Sequence, residues 1–332
     1  MKKSKISASI LSSKKLLYDL QVFETMGIDF LHIDWFVEED ISKKLDKIID
    51  YSSIPLDFHI IGMKNNLFEQ LMKYKPKFCT FQYSKDNIGK IVDLCNKLQI
   101  EKIKCGICLC LEDDVSLLDG MNFDHVMIIN TKPGKSGVKL DLNKSLSYAK
   151  NLRNLYPELP IHIDGGIDYK IKQKYKNLQI EVFVCGSYLL KSNNLYESIF
   201  KLKKKEKLLK KSVSEYIKKG NNFKIKKSAT TQEIIKKLNY CKSGFLMVVD
   251  NNKLCGVVTD GDIRRVVLNP DLELVNLNPI YCKSKDTVLE IYKIISKSEK
   301  HIEFIPVLDE QDFLIGFIDL NKINGEIKEN GF

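Results

Sequence analysis

Four side chains in this 332-residue sequence have the types and spacing for metal chemistry: His32 and Asp34, two residues apart, with His59 and Asp164. A mixed imidazole and carboxylate set of this kind suits one divalent transition metal, Zn, Mn, Fe or Co. Any one of these histidines alone would be read as a satisfied core residue; four such groups, each at the end of a candidate strand, make a site. A metal beside two carboxylates fits proton transfer at a carbon next to a carbonyl. The metal polarises the carbonyl and stabilises an ene-diolate, while one Asp removes a proton and the other returns it to the opposite face. His162, two residues before Asp164, is assigned to packing one layer deeper, and His125 and His301 receive no role.

Positioning such a set requires several strands that end together. Short apolar runs recur at 6–11, 30–34, 56–61, 78–83, 103–109, 125–130, 161–164 and 182–186, separated by longer helix-compatible stretches. Strands alternating with helices predict a parallel sheet, and eight such units in about 200 residues predict an α/β fold of the (β/α)8 TIM-barrel class. Barrel active sites form at the C-terminal strand ends, where Ser9, His32, Asp34, His59, Asn130, Asp164 and Ser187 fall. Side chains alternate along a strand, so His32 and Asp34 face the mouth while Ile33 faces the helices.

Glycine placement supplies the other end of a substrate. Gly134, Ser136 and Gly137 follow the sixth candidate strand, Gly165 and Gly166 the seventh, and Gly186 and Ser187 the eighth. Backbone N–H groups in loops of this kind bind phosphate in many barrels. The Gly134-Lys135-Ser136 string is not a nucleotide P-loop, because the upstream glycine that motif requires is Ile129 here.

Composition excludes other classes. Hydrophobic residues make up 44% and charged residues 29%, an ordinary globular balance able to bury a large core. No apolar run reaches the roughly 18 residues a membrane helix needs, and MKKSKISASIL lacks a signal peptide's apolar region, so a cytoplasmic protein with no membrane partner is expected. Nine cysteines, an odd number in apolar surroundings, read as reduced thiols. Cys105, Cys108 and Cys110 lack the second Cys/His pair of a zinc finger. The net charge of +10 comes largely from the lysine run 201–219, which reads as a solvated helix. That run lacks the interleaved aromatics and arginines of a nucleic-acid surface, so no nucleic-acid partner is expected.

Beyond Gly220 the pattern changes to two copies of one unit, FLMVVDNNKLCGVVTDGDIRR at 245–265 and FIPVLDEQDFLIGFIDLNKI at 304–323. Two copies indicate repeats that pack against each other. The expected organisation is a barrel over 1–200, a basic helical linker over 201–220, and a repeat pair over 221–332.

Ordered motifs from Ile6 to about Ser192 resemble the ribulose-phosphate 3-epimerase family: ASIL at 8–11, HID at 32–34, DFH at 57–59, PGKSG at 133–137, HIDGG at 162–166 and CGS at 185–187. The resemblance implies one divalent metal held by His32, Asp34, His59 and Asp164, with Asp34 and Asp164 as the acid/base pair. It implies Ser9 and His59 beside the substrate, and phosphate in the three glycine loops. Departures lie around the cavity. Phe36, Ile61 and Ile129 stand where the family usually has Met, the loop after the second strand is the short acidic 37–40, and Gln82 replaces a usual His. Such changes reshape a cavity while its catalytic groups remain.

The C-terminal repeats resemble a pair of cystathionine-β-synthase (CBS) domains, an α+β module. The resemblance implies a regulatory adenine or sugar nucleotide contacted by Thr259 and Asp262, with Asp319 and Lys322 at the equivalent places in the second repeat. At most one of the two sites is then intact, and a dimerisation role without ligand is the alternative; a homo-oligomer is expected. TDGDIRR at 259–265 is similar to modules attached to sugar-processing enzymes of surface-polysaccharide pathways, which implies a dedicated biosynthetic role. The reading that results is an epimerase acting at C3 of a ketose phosphate, with D-ribulose 5-phosphate and D-xylulose 5-phosphate as the default pair. Alternatives are a hexulose or heptulose phosphate, and a sugar-phosphate sensor without turnover. Two carboxylates facing one metal argue against the sensor.

Overall fold

The computed structural model describes residues 4–131, 140–242, 244–298 and 302–328. The chain divides into two compact units, one ending at Lys204 and the other beginning at Lys205.

The first unit is a closed barrel of eight parallel strands in sequential order: β1 Lys5–Ser9, β2 Phe30–Phe36, β3 Leu56–Ile61, β4 Phe78–Gln82, β5 Lys104–Cys110, β6 His125–Ile129, β7 Ile161–Asp164 and β8 Ile180–Cys185. Helices α1 Leu16–Thr25, α2 Ser42–Tyr51, α3 Leu67–Tyr74, α4 Ile88–Ile100, α5 Leu142–Leu155, α6 Tyr169–Lys174, α7 Ser187–Leu190 and α8 Leu195–Leu202 follow the strands. The α3 sequence shows why: Leu67, Leu71 and Tyr74, at i, i+4 and i+7, form its buried face. After β5 the expected helix is only a 3-10 turn, Val115–Leu118, capped by the Asp114 carboxylate.

The barrel floor is apolar, with Phe30, Phe78 and Val182 in one cluster and the rings of Phe30 and Phe78 edge to face at 5.0 Å. Above it His125 and His162 stack at 4.3 Å, and Phe78 packs edgewise on both. The His125 Nε2 lies 2.7 Å from the Thr80 hydroxyl. Gly106 makes room for this ring, since a Cβ there would come within 2.5 Å of His125 Nε2.

The second unit holds two three-stranded sheets. In the first, β9 Lys224–Lys226 runs parallel to β10 Phe245–Asp250, which pairs antiparallel with β11 Lys253–Thr259. In the second, β12 Cys282–Lys283 runs parallel to β13 Phe304–Leu308, which pairs antiparallel with β14 Leu314–Asp319. Helices α9 Glu206–Leu209, α10 Thr231–Cys241, α11 Asp260–Leu268, α12 Val288–Ser298 and α13 Leu320–Lys328 complete the unit. Phe245, Met247 and Val257 from the first repeat share a core with Leu308, Leu314 and Phe317 from the second. The repeats therefore fold around a common interior.

The lysine run is not the single solvated helix its composition suggests. After α9 the chain passes through a 3-10 turn at Val213–Tyr216, and Leu208, Leu209, Val213 and Tyr216 are buried. Its backbone finds partners elsewhere in the unit: Lys218 exchanges two hydrogen bonds with Phe317, and Val213 N–H donates to the Asp286 carbonyl. These outcompete helical bonds, a case of tertiary pairing overriding local propensity. Among the described residues no helix is long and apolar enough to cross a membrane.

Candidate active site and metal centre

β2 carries His-Ile-Asp and β3 carries Asp-Phe-His, and the two strands align so that His32 pairs with Asp57 and Asp34 with His59. Side chains two apart share a face, so each imidazole meets a carboxylate on the next strand. His32 Nδ1 lies 2.9 Å from Asp57 Oδ2, and His59 Nδ1 lies 3.1 Å from Asp34 Oδ1. Across the mouth, Asp164 at the end of β7 brings Oδ2 to 4.0 Å from His32 Nε2, while Asp34 Oδ1 is 3.7 Å from the same nitrogen. One donor atom from each of His32, Asp34, His59 and Asp164 falls within 4.8 Å of all the others. Both imidazoles are fully buried, whereas the Asp34 and Asp164 side chains keep 6% and 16% exposure, so it is the carboxylates that open toward solvent.

The field differs at the two carboxylates. Burial works to raise the Asp34 pKa, but the adjacent His32 and His59 imidazoles outweigh it and hold this group well below the usual carboxylate range. At Asp164 burial dominates; His32 only partly offsets it, and the charge of Asp34 adds to it, so this pKa is raised. Burial would lower the His32 pKa, but the Asp57 and Asp34 carboxylates on either side raise it well above the ordinary imidazole value. Asp57, despite burial, is pulled down to about 2 by His32.

Whether a cation suits this cage can be judged from its donors. His32 Nε2 is buried and has no hydrogen-bond partner among the described residues. The groups within hydrogen-bond reach of the two rings, Asp57, Asp34 and the Gln82 Oε1, are all acceptors. A buried group of acceptors facing one another is costly unless a positive charge sits among them. Imidazole nitrogens with carboxylates are also a donor set that transition metals take. The residues fit the ion.

Around the cage, Gly186 approaches Ser9 so closely that an added Cβ would lie 3.3 Å from the Ser9 Cβ. Gly165 and Gly166 have φ of +94° and +71°, which other residues rarely adopt, and a Cβ on Gly166 would sit 3.0 Å from Leu140. Ser187 opens the short helix α7 directly after Gly186. Gly134, Ser136 and Gly137, with His301, lie outside the described residues. His162 packs against Phe78 and His125 just above the floor, and burial, then His125, hold its pKa well below the ordinary value. Cys105, Cys108 and Cys110 are free thiols and join no metal-capable group among the described residues.

Two residues that composition and spacing did not single out support the cage. Asp57, the first letter of the DFH motif, is fully buried and accepts from Ser7 Oγ at 2.7 Å as well as facing His32. Gln82, read only as a departure, places Oε1 3.1 Å from His59 Nε2. The complementary His-x-Asp and Asp-x-His pattern on successive strands was the signal for Asp57.

In the second unit, Thr259 and Asp262 line a cavity of about 940 Å³ together with Arg264, Arg265, Asn276 and Glu303. They also cap α11 reciprocally: the Thr259 hydroxyl accepts from Asp262 N–H, and the Asp262 carboxylate accepts from Thr259 N–H at 2.7 Å. Arg265 pairs with the same carboxylate. In the second repeat Asp319 is paired with Lys218 Nζ at 2.9 Å, and Lys322 stands over the Tyr216 ring.

Two family models agree with this architecture. The CBS domain family matches residues 213–269 and 272–329. A ribulose-phosphate 3-epimerase of Helicobacter pylori (strain ATCC 700392 / 26695) is 24% identical over 205 residues, covering 57% of this chain and 92% of that protein. Among solved structures, a phosphoribosyl anthranilate isomerase from Thermus thermophilus is 12% identical with a TM-score of 0.45, covering 60% of this chain and 96% of that one. A CBS domain pair/ACT domain protein from Thermotoga maritima is 20% identical with a TM-score of 0.29, covering 36% of this chain and 98% of that one. The ribulose-phosphate 3-epimerase family matches residues 5–190, more than half of the chain, and the chain belongs to that family, with a CBS domain pair fused behind the barrel.

Proposed function

We propose that the barrel is a metal-dependent 3-epimerase of ketose phosphates, with D-ribulose 5-phosphate and D-xylulose 5-phosphate as the pair interconverted. The observation that carries this reading is the cage itself: four donors within 4.8 Å at the barrel mouth, two of them carboxylates. His32, Asp34, His59 and Asp164 would hold one divalent transition metal. When bound, such an ion draws electron density from a carbonyl oxygen and lowers the cost of removing the neighbouring proton.

The chain's own groups do the rest. Asp34 and Asp164 approach the cage from β2 and β7, and this suits one to take the C3 proton and the other to deliver one to the other face. In the reverse direction the roles exchange. The buried imidazoles fix the carboxylates, and Cys108 and Ile129 belong to a buried apolar cluster with Met127 and Val184. Ser9, with His59, sits against the sugar. The turns at Gly165–Gly166 and Gly186–Ser187, with Gly134, Ser136 and Gly137, take the phosphate through backbone N–H groups.

For the second unit, the cavity lined by Thr259, Arg264 and Arg265 is assigned to a regulatory adenine or sugar nucleotide. Arginine side chains pair with phosphate oxygens in two-pronged geometry.

The direct test incubates the purified protein with pentulose, hexulose and heptulose phosphates in deuterated water and follows the C3 proton by NMR. Wash-out of the C3 signal with appearance of the epimer identifies reaction and substrate together. Exchange with none of these sugars removes the proposal.

A further inference from the structure

The two histidines of the cage are held from behind by different nitrogens. His32 presents Nδ1 to Asp57 Oδ2 at 2.9 Å and leaves Nε2 without a partner toward Asp34 and Asp164. His59 is the reverse: Nε2 faces Gln82 Oε1 at 3.1 Å, and Nδ1 faces Asp34 Oδ1 at 3.1 Å. An ionised carboxylate can only accept, so the hydrogen between His32 and Asp57 belongs to His32 Nδ1. Asp57 is fixed in turn by the Ser7 hydroxyl at 2.7 Å.

At His59 both neighbours are acceptors, so the ring alone does not decide where its hydrogen lies. Gln82 decides it. Its Nε2 donates to the Cys108 carbonyl at 3.3 Å and approaches Cys110 Sγ at 3.7 Å. That fixes the amide so that Oε1, an acceptor only, faces His59, and an imidazole with one hydrogen satisfies it by placing that hydrogen on Nε2. Nδ1 is then a bare lone pair beside Asp34.

From this geometry we infer that Asp57 and Gln82 are positioning residues that lock His32 and His59 in opposite tautomers, presenting Nε2 of His32 and Nδ1 of His59 as the two nitrogen donors. The inference rests on the proposed metal reading of the cage. It assigns Gln82 a specific task, accepting a hydrogen while its own amide is tied to β5. Groups behind metal-bound histidines typically change metal affinity by about 10- to 100-fold.

The test uses the full chain with ¹⁵N-labelled histidine, loaded with Zn²⁺, in long-range ¹H–¹⁵N correlation spectra, with chelator competition for affinity. The unmutated protein should show His32 carrying hydrogen on Nδ1 and His59 carrying it on Nε2; the opposite tautomer at either ring overturns the assignment for its partner. Gln82→Leu should weaken Zn²⁺ binding tenfold or more, whereas Gln82→Glu, which keeps an acceptor, should stay within about threefold of the parent. Gln82→Leu at parental affinity overturns the role of Gln82. Asp57→Asn, with Ser7→Ala as the gentler change should the first not fold, should weaken binding or shift the His32 spectrum; Ser7→Ala with neither change overturns the role of the Ser7–Asp57 support. Absence of Zn²⁺ binding by the parent removes the metal reading and this inference together, whereas binding with unlocked tautomers removes the inference alone.

Discussion

Replacing each carboxylate of the cage with its amide separates proton chemistry from packing. Asn keeps the shape of Asp and one of its oxygens, so neither Asp34→Asn nor Asp164→Asn creates a void. Each removes a group that takes or gives a proton, worth at least about a hundredfold in turnover, or about 2.7 kcal/mol of transition-state stabilisation. The structure also predicts a difference between them. Asp34 approaches both imidazoles, at 3.7 and 3.1 Å, while Asp164 comes within 4.0 Å of His32 and stands farther from His59. Asp34→Asn should therefore lose metal as well as activity, and Asp164→Asn should keep more of its metal. In Asp164→Asn the remaining Asp34 can still remove a proton from one epimer, so deuterium should enter that epimer at C3 without inversion. The assay is epimer ratio and C3 deuterium content by NMR, with metal content measured on the same samples. Near-parental turnover in either variant would refute the two-carboxylate scheme, and equal exchange from both epimers in Asp164→Asn would refute the assignment of faces.

Four further outcomes are expected. The protein purified without chelator should carry about one transition metal per chain, and His59→Ala should lower occupancy tenfold or more by elemental analysis. Free ketoses should be far poorer substrates than their phosphates in kcat/KM, because binding energy at the glycine turns orients the distant C3. Gly106→Ala forces a Cβ to within 2.5 Å of His125, and overpacking of this kind costs about 1–3 kcal/mol, lowering Tm by roughly 2–12 °C for a unit of this size. Nucleotide binding at the second unit, measured by calorimetry on the full chain with AMP, ATP and sugar nucleotides, should be lost in Asp262→Ala; that variant also loses a helix cap worth about 1 kcal/mol, so Arg264→Ala is the cleaner probe.

The barrel was legible because its strands are short apolar runs whose last residues are polar. Ser9, His32, Asp34, His59 and Asp164 stand out against Ile, Leu and Phe, and β3 and β7 begin and end where those runs do. What spacing alone could not give was register. Asp57 becomes meaningful only once β2 and β3 are aligned residue for residue, since a shift of one would send it to the helical side. Gln82 was visible as an unusual residue but not as a partner, because its role depends on a carbonyl of the neighbouring strand. The resemblance implies ligand contact at Thr259 and Asp262, and the Thr-x-x-Asp spacing equally implies their reciprocal capping of α11. The lysine run misled because charge dominated its composition, while its sparse apolar residues, Leu208, Leu209, Val213 and Tyr216, decided its fate.

The pairing of Lys218 with Phe317 has a practical side. β14 lies at the end of its three-stranded sheet, and the 205–220 segment covers part of that outer edge. Gly316 admits it by lacking a side chain, since a Cβ there would collide with the Lys218 carbonyl. A fragment cut at Gly220 would strip this cover and leave N–H and C=O groups of an apolar strand open to other molecules, the arrangement from which sheets grow between chains. A fragment beginning at Lys205 keeps its own sealing strip and should stay dispersed where the shorter one precipitates.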